Sequence, residues 1–215
     1  METVNLLSKI EKYGCDNGLF AYTTIGNLSK SCCNSSKTEV IDFDTTKEHI
    51  CKQHNLQTLK SCDALKFLTN ASRIDFIEMK GFKEFISREI KETKEVEEKT
   101  KEKLTKFDFE TKIRDSIAVL SILISSKSLS LSAQERNLFH KIDKHYVVLS
   151  DISIEKNPLD FLTMTLDFLG NASSNIEKKV LSVLENELKN IKLSDFHNIH
   201  QPVLKNCESI DDYYS

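Results

Sequence analysis

The chain has no tryptophan and only 2 prolines and 5 glycines among its 215 residues. So few chain breakers exclude a collagen-like or low-complexity polypeptide. The most apolar segment, IAVLSILI, is far shorter than the roughly 20 residues that a transmembrane helix needs. Together with a hydrophobic fraction of 39% and a charged fraction of 29%, these absences predict an ordinary globular protein with no membrane partner.

Strong charge of one sign is also lacking, since the formal net charge is −3. This excludes a protein whose whole surface binds polyanions, but it leaves room for a local basic site. The first residues, METVNLLSKIEKYG, have no basic segment followed by an apolar run, so no signal peptide is expected. We therefore expect a cytoplasmic protein.

Paired metal-binding and nucleotide-binding motifs are missing as well. The six cysteines include no CxxC pair, and the groups His197–His200 and His49–Cys51–His54 have no second half-site. No Walker loop, GxGxxG or GxSxG motif occurs. In a reduced cytosol the cysteines are then expected to act as small apolar residues, and they are Cys15, Cys32, Cys33, Cys51, Cys62 and Cys207.

The first half of the chain alternates between helical and extended patterns. A short helix is predicted over residues 4–13, a polar loop over 27–36 and a strand over 38–44. Asp44 is predicted to cap a helix over residues 45–55, because Asp is a preferred N-cap residue. A hairpin follows this helix.

The second half is mainly helical in pattern. Strong helix formers predict one long charged helix at about residues 82–106, followed by an amphipathic helix over 107–124 and a buried strand over 144–152. Two further helices are predicted in residues 159–169 and 174–193, and the acidic tail, residues 209–215, is expected to fray. The order predicts an α/β or α+β domain over 1–155, with a mixed central sheet flanked by helices, and a helical C-terminal extension over 156–215 packed on it.

The hairpin, SCDALKFLTNASRIDFIEMKG, carries charges where its strands end. A four-residue loop places Leu68 opposite Arg73, and counting outward places Asp63 opposite Glu78. Facing carboxylates repel each other in a sheet, and a Mg²⁺ ion between them would remove the repulsion. Lys80 follows on the same face, where it is placed to orient water or to stabilise charge on a phosphate. Solvated strand ends with exposed charges are the alternative explanation.

SCDALKF followed by RIDFIEMKG resembles the active-site hairpin of the PD-(D/E)XK nuclease superfamily. Asp63, Glu78 and Lys80 match its Asp, Glu and Lys, while Cys62 stands where the superfamily often has proline. The resemblance covers residues 38–149 and extends to small bacterial members of unsettled role. It implies a sheet of the restriction-endonuclease-like type, with Asp63 and Glu78 holding Mg²⁺ or Mn²⁺ and with Lys80 as a further catalytic residue.

The resemblance also suggests residues outside the hairpin. Members often take a further metal ligand from the helix before the sheet, and Glu48 is the first candidate, with Glu11 as the fallback and a solvated helical Glu as the alternative. Lys112 and Ser116, on the helix after the hairpin, are candidates for contact with nucleic acid, and a simple exposed helix start is the alternative. Asp75 is expected on the opposite face from Glu78.

Two functions are compatible with this pattern. The first is a metal-dependent nuclease, acting on DNA in preference to RNA, as an effector in bacterial defence against phage or foreign DNA. The second is a nuclease-fold protein with weak or lost catalysis that acts as a partner-binding subunit. Because no recognition domain is evident, we expect a homo-oligomer or a complex with a partner protein.

Overall fold

Six strands form a mixed sheet in a computed structural model that describes residues 2–57, 59–152, 172–193 and 198–215. The strands lie side by side in chain order. The first four pair antiparallel, and the last two join in parallel. They are β1 (Tyr22–Thr24), β2 (Glu39–Asp42), β3 (Ala64–Leu68), β4 (Arg73–Lys80), β5 (Asp143–Ser150) and β6 (Val203–Asn206).

Helices flank this sheet, which confirms the predicted α/β class. The bounds of those described are α1 (Glu2–Asp16), α2 (Phe43–Gln53), α3 (Lys83–Glu89), α4 (Val96–Phe107), α5 (Phe109–Ser125), α6 (Ala133–Lys141), α7 (Ala172–Asn190) and α8 (Ile210–Tyr213). None of the helices within the described ranges is long and apolar enough to cross a membrane.

The two faces of the sheet have separate cores, because successive strand residues point to opposite sides. Phe76, Tyr146 and Val148 belong to the larger core, together with apolar residues of the long helices. Ile77 and Val147 belong to a smaller core. The smaller core is covered by the segment after β1 and by the C-terminal residues, through Ile25, Leu28, Cys33 and Ile210.

The hairpin has the predicted register. Leu68 pairs with Arg73, and Ala64 pairs with Ile77. The turn between them closes at Ser72, whose backbone is left-handed with φ of 49°. The predicted strand at 144–152 is also confirmed as β5, which is buried next to β4.

The cap of α2 differs from the prediction. Asp42, not Asp44, accepts a hydrogen bond from the backbone N–H of Thr45 at 3.1 Å. The helix therefore begins at Phe43, whose side chain is fully buried and meets the ring of Phe76 edge-on. Burial of this aromatic residue fixes where the strand ends and the helix begins.

The single long helix predicted at residues 82–106 is wrong. Helix α3 ends at Glu89, Ile90 is extended, a 3₁₀ turn covers Thr93–Glu95, and α4 begins at Val96. Ile90 and Val96 are both buried. Packing of these two apolar side chains outweighs the helix propensity of the charged residues between them.

The C-terminal region is also different from a purely helical extension. Strand β6 pairs in parallel with β5, with Val147 opposite Val203. The tail does not fray, because the Asp211 carboxylate accepts hydrogen bonds from the side chains of Ser36 and Thr38. The helix predicted over 174–193 is present as α7, whereas the one predicted over 159–169 lies outside the described residues.

The expectation that the cysteines act only as small apolar residues is wrong for one pair. Cys33 and Cys207 form a disulfide across 174 positions of sequence. Cys51 and Cys62 are free and buried, as expected for small apolar side chains. The spacing of the paired cysteines offers no signal, since the fold alone brings β6 beside the segment that follows β1.

Candidate active site

Two acidic side chains meet where the β3–β4 hairpin ends. Asp63 precedes β3 by one residue, so the observed register places it directly opposite Glu78. The backbone N–H of Met79 donates to Asp63 Oδ2 at 2.6 Å, and this hydrogen bond holds the Asp63 carboxylate against β4. Extended by one residue beyond the Ala64–Ile77 pair, the register agrees with the expected pairing of Asp63 with Glu78.

Glu78 is fully buried, which the solvated strand-end alternative does not explain. Burial raises the pKa of its carboxyl group, and the nearby charge of Asp63 raises it further. Its Oε1 atom forms ion pairs with Lys80 and Lys112. Its Oε2 atom has no hydrogen-bond partner among the described residues. A buried carboxylate oxygen without a protein partner is costly, so this atom is available to a ligand.

Lys112 of α5 bridges the two acids. Its Nζ atom lies 2.6 Å from Glu78 Oε1 and 3.8 Å from Asp63 Oδ1. Burial lowers the pKa of Lys112, but attraction by Glu78 and Asp63 outweighs this effect, and the pKa is raised. The ammonium group is therefore charged at neutral pH.

Lys80 approaches the same acids from β4. It forms an ion pair with Glu78, and its Nζ atom lies 4.0 Å from Asp63 Oδ2. The ammonium also lies 4.8 Å from the centre of the Phe107 ring, so an aromatic face holds it from the other side. With only 13% of its side chain exposed, Lys80 is restrained at the edge of the acidic pair.

Ser116 is buried inside the protein and is not exposed at the site. It is fully buried, and its hydroxyl accepts a hydrogen bond from the backbone N–H of Cys62 at 2.8 Å. This bond fixes the chain immediately before Asp63. A direct contact between Ser116 and nucleic acid does not agree with this burial.

Neither candidate for a further metal ligand reaches the acidic pair. Glu48 is exposed on α2 and forms no hydrogen bond or ion pair within the described part of the chain. Glu11 instead accepts a hydrogen bond from the hydroxyl of Tyr22. Asp75 lies on the opposite face, as predicted, where Arg73 and Tyr214 donate to its Oδ2 atom.

Asp44 is an acid of α2 that the sequence reasoning considered near the site but explained as a helix cap. Ser61 donates to its carboxylate, and Lys47 forms an ion pair with it at 3.1 Å. Burial opposes ionisation of Asp44, but these partners together with Lys112 lower its pKa. It therefore lies within electrostatic reach of the site. Because Asp42 is the actual cap, the reason for setting Asp44 aside does not hold.

The geometry suits a divalent cation held by two carboxylates. Mg²⁺ prefers oxygen ligands and is commonly held by one or two carboxylates together with water and substrate phosphate. Asp63 and the unpartnered Oε2 atom of Glu78 supply such oxygens. Two nearby ammonium groups add positive charge for a phosphate.

Comparisons of the chain with models of known protein families, with curated proteins and with solved structures find no match.

Proposed function

We propose that the chain is a metal-dependent nuclease of the PD-(D/E)XK type that hydrolyses phosphodiester bonds, with DNA preferred to RNA. The observation that carries this proposal is the fully buried Glu78, opposite Asp63, with one carboxylate oxygen unpartnered. The mixed sheet and the hairpin register agree with a sheet of the restriction-endonuclease-like type. The setting we propose is bacterial defence, with a second copy or a partner protein supplying specificity.

Asp63 and Glu78 are the residues that would hold Mg²⁺ or Mn²⁺. When bound, the ion would polarise the scissile phosphate and lower the pKa of the attacking water. The hydrogen bond from Met79 fixes Asp63, and the register fixes Glu78, so both oxygens are held by the sheet. Preorganised ligands of this kind lose little freedom on binding.

Lys80 would orient the water or stabilise the negative charge that grows on the phosphate. It cannot be a metal ligand while it is protonated, because an ammonium group has no lone pair to donate. Its contacts with Glu78 and with the Phe107 ring hold it beside the acids. Fixed positive charge aimed at a developing oxyanion is among the strongest contributions to catalysis.

Lys112 would contact a substrate phosphate. Its ammonium group bridges the two carboxylates, 2.6 Å from Glu78 Oε1 and 3.8 Å from Asp63 Oδ1. It is therefore held beside the residues that would hold the ion.

The same bridge favours a second candidate, a catalytically weak nuclease-fold subunit. Lys80 and Lys112 together match the charges of Asp63 and Glu78, so the four groups are neutral without a metal. A partner-binding protein would need no more than this ion-pair cluster. The first candidate is preferred because Oε2 of Glu78, beside Asp63, is an oxygen that a metal ion can take.

A cleavage assay separates the two candidates. The purified chain is incubated with end-labelled single- and double-stranded DNA and RNA, with Mg²⁺, with Mn²⁺ and with chelator. We expect metal-dependent cleavage by the wild type and by Glu48→Ala, whose side chain is exposed on α2. Asp63→Asn and Glu78→Gln should be inactive. Folded wild-type protein that cuts no substrate, or Glu78→Gln that cuts normally, would contradict the proposal.

A further inference from the structure

Three cysteine sulfurs come together on the face of the sheet away from Glu78. Cys33 and Cys207 form the disulfide, and Cys32 Sγ lies 3.4 Å from Cys207 Sγ and 3.8 Å from Cys33 Sγ. All three sulfurs lie within 4.8 Å of one another. Cys33 is buried, while Cys32 and Cys207 are partly buried, so solvent reaches one side of the cluster.

The surroundings hold these sulfurs in place. The backbone N–H of Cys33 donates to Ser31 Oγ at 3.0 Å, which fixes the turn carrying Cys32 and Cys33. Cys207 begins a 3₁₀ turn directly after β6, and the Asn206 side chain caps that turn. The cluster is therefore built by two ordered segments that are distant in sequence.

The spacing agrees with metal coordination by thiolates. In a tetrahedral zinc site with Zn–S bonds of about 2.3 Å, neighbouring sulfurs are about 3.8 Å apart. The separations from Cys32 to its two neighbours, 3.8 Å and 3.4 Å, are close to this value. Cys32 is adjacent to Cys33 in sequence, and its side chain is turned so that its sulfur lies near both partners of the disulfide.

We infer that, when reduced, Cys32, Cys33 and Cys207 form a binding site for one thiophilic metal ion of the Zn²⁺ class. The disulfide is the oxidised, metal-free state of the same cluster. Soft thiolate ligands select zinc and similar ions over Mg²⁺, so this site is distinct in chemistry and position from the acidic pair. It does not depend on the nuclease proposal.

Conversion of the disulfide to the reduced cluster needs two electrons, which a dithiol reductant supplies. Two electrons from the dithiol break the Cys33–Cys207 bond, and the dithiol becomes a cyclic disulfide while both cysteines gain protons. The metal ion then replaces the three thiol protons, which pass to solvent. The fourth coordination position is left for water, as the described residues place three cysteine ligands here.

The test is metal titration of the full chain in its two redox states. Oxidised and dithiol-reduced protein, freed of reductant without oxygen, are titrated with Zn²⁺ against a chromophoric chelator and with Co²⁺ for its thiolate absorption bands. We expect the reduced chain to bind one more ion tightly than the oxidised chain does, since the acidic pair is the same in both states. Equal zinc binding in both states would overturn the inference.

Two variants locate the ion. Cys32→Ser keeps the cysteines that form the disulfide but removes one ligand, so zinc affinity should fall by at least about tenfold. Cys15→Ser is the matched control, because Cys15 is a free, exposed cysteine on α1. Reduced wild type that binds zinc no more tightly than Cys32→Ser would also overturn the inference.

The zinc site can also be tested if the protein unfolds when its disulfide is reduced. Circular dichroism follows the fold during the titration, since binding to a thiolate site stabilises the folded chain. If reduction unfolds the protein, zinc should restore the wild type and fail to restore Cys32→Ser. A reduced wild type that stays unfolded in excess zinc contradicts the site.

Discussion

At the scale of single residues, the two oxygens of Glu78 have different environments. Oε1 is surrounded by the ammonium groups of Lys80 and Lys112, and Oε2 has no partner among the described residues. A buried ion pair adds little net stability, because desolvation offsets the attraction between the charges. The four charged groups are therefore explained better as a binding site than as a contribution to stability.

The raised pKa of Glu78 predicts how stability changes with pH. In the folded state Glu78 holds its proton more tightly than in the unfolded state, so stability from this group is present at low pH and declines as pH rises above the ordinary value of 4.5. Each unit of upward shift corresponds to about 1.4 kcal/mol. The free energy of unfolding of wild type minus that of Glu78→Gln should therefore fall between pH 4 and pH 8.

Denaturant melts of both proteins across this pH range provide the measurement. Glu48→Gln serves as the control for the substitution itself, because Glu48 is exposed on α2. A difference for Glu78→Gln that rises with pH would mean that the two lysines, not burial, control this carboxyl group.

The Lys80→Ala variant should lose cleavage activity but still bind the metal ion. Removal of one electrostatic contact to a developing oxyanion costs about 10²–10³ in rate. Affinity for Mn²⁺ should hold or rise, because a positive charge next to Asp63 and Glu78 is gone. Titration calorimetry and the cleavage assay test the two halves separately. Normal cleavage at saturating metal with much weaker Mn²⁺ binding would assign Lys80 to organising the ligands instead.

At the scale of secondary structure, the hairpin was predictable because its determinants are local. Alternating apolar residues and a short polar turn fix the register, and the register places Asp63 opposite Glu78. The burial of Glu78 was not predictable in this way. It depends on α5, which follows in sequence after two intervening helices and brings Lys112 over the strand end.

Elements that depend on distant partners escaped prediction. The short strands β1 and β6 carry weak patterns and exist because β2 and β5 offer free edges. The break between α3 and α4 follows from burial of Ile90 and Val96, although neither glycine nor proline marks it. Local propensity does not contain these tertiary contacts.

The start of α2 provides a test of the corrected cap. Asp42 accepts hydrogen bonds from both the backbone N–H and the hydroxyl of Thr45. Asp42→Ala should lower the free energy of unfolding by about 0.5–2 kcal/mol, the usual cost of losing an N-cap. Glu48→Ala, on the exposed side of the same helix, should change it by less than about 0.5 kcal/mol. Equal effects in denaturant melts would contradict the cap at Asp42.

At the scale of the whole molecule, the two faces of the sheet carry different chemistry. The acidic pair and the lysines lie on the face covered by long helices, while the disulfide joins a loop near the N-terminus to the end of the chain on the other face. Ile210 and Cys33 share the smaller core, so the tail is held both by packing and by a covalent bond.

The disulfide should stabilise the oxidised chain by closing a very long loop. Its cysteines are 174 positions apart, and the entropy removed from the unfolded chain grows with loop length. Cys207→Ala should therefore lower the free energy of unfolding under oxidising conditions by about 2–5 kcal/mol. Cys15→Ala, which removes an exposed free thiol, should stay within about 0.5 kcal/mol of wild type.

Cys33→Ala separates loop closure from the packing of the sulfur atoms. Cys32 lies 3.4 Å from Cys207, so it can replace Cys33 in a disulfide that closes almost the same loop. Cys33→Ala should therefore lose less stability than Cys207→Ala, and mass spectrometry of the oxidised variant should find the Cys32–Cys207 bond. The comparison uses guanidinium unfolding of both variants with and without reductant. With the Cys32–Cys207 bond formed, the loop is closed in Cys33→Ala and open in Cys207→Ala. Equal losses of stability in the two variants would then show that loop closure does not stabilise the chain.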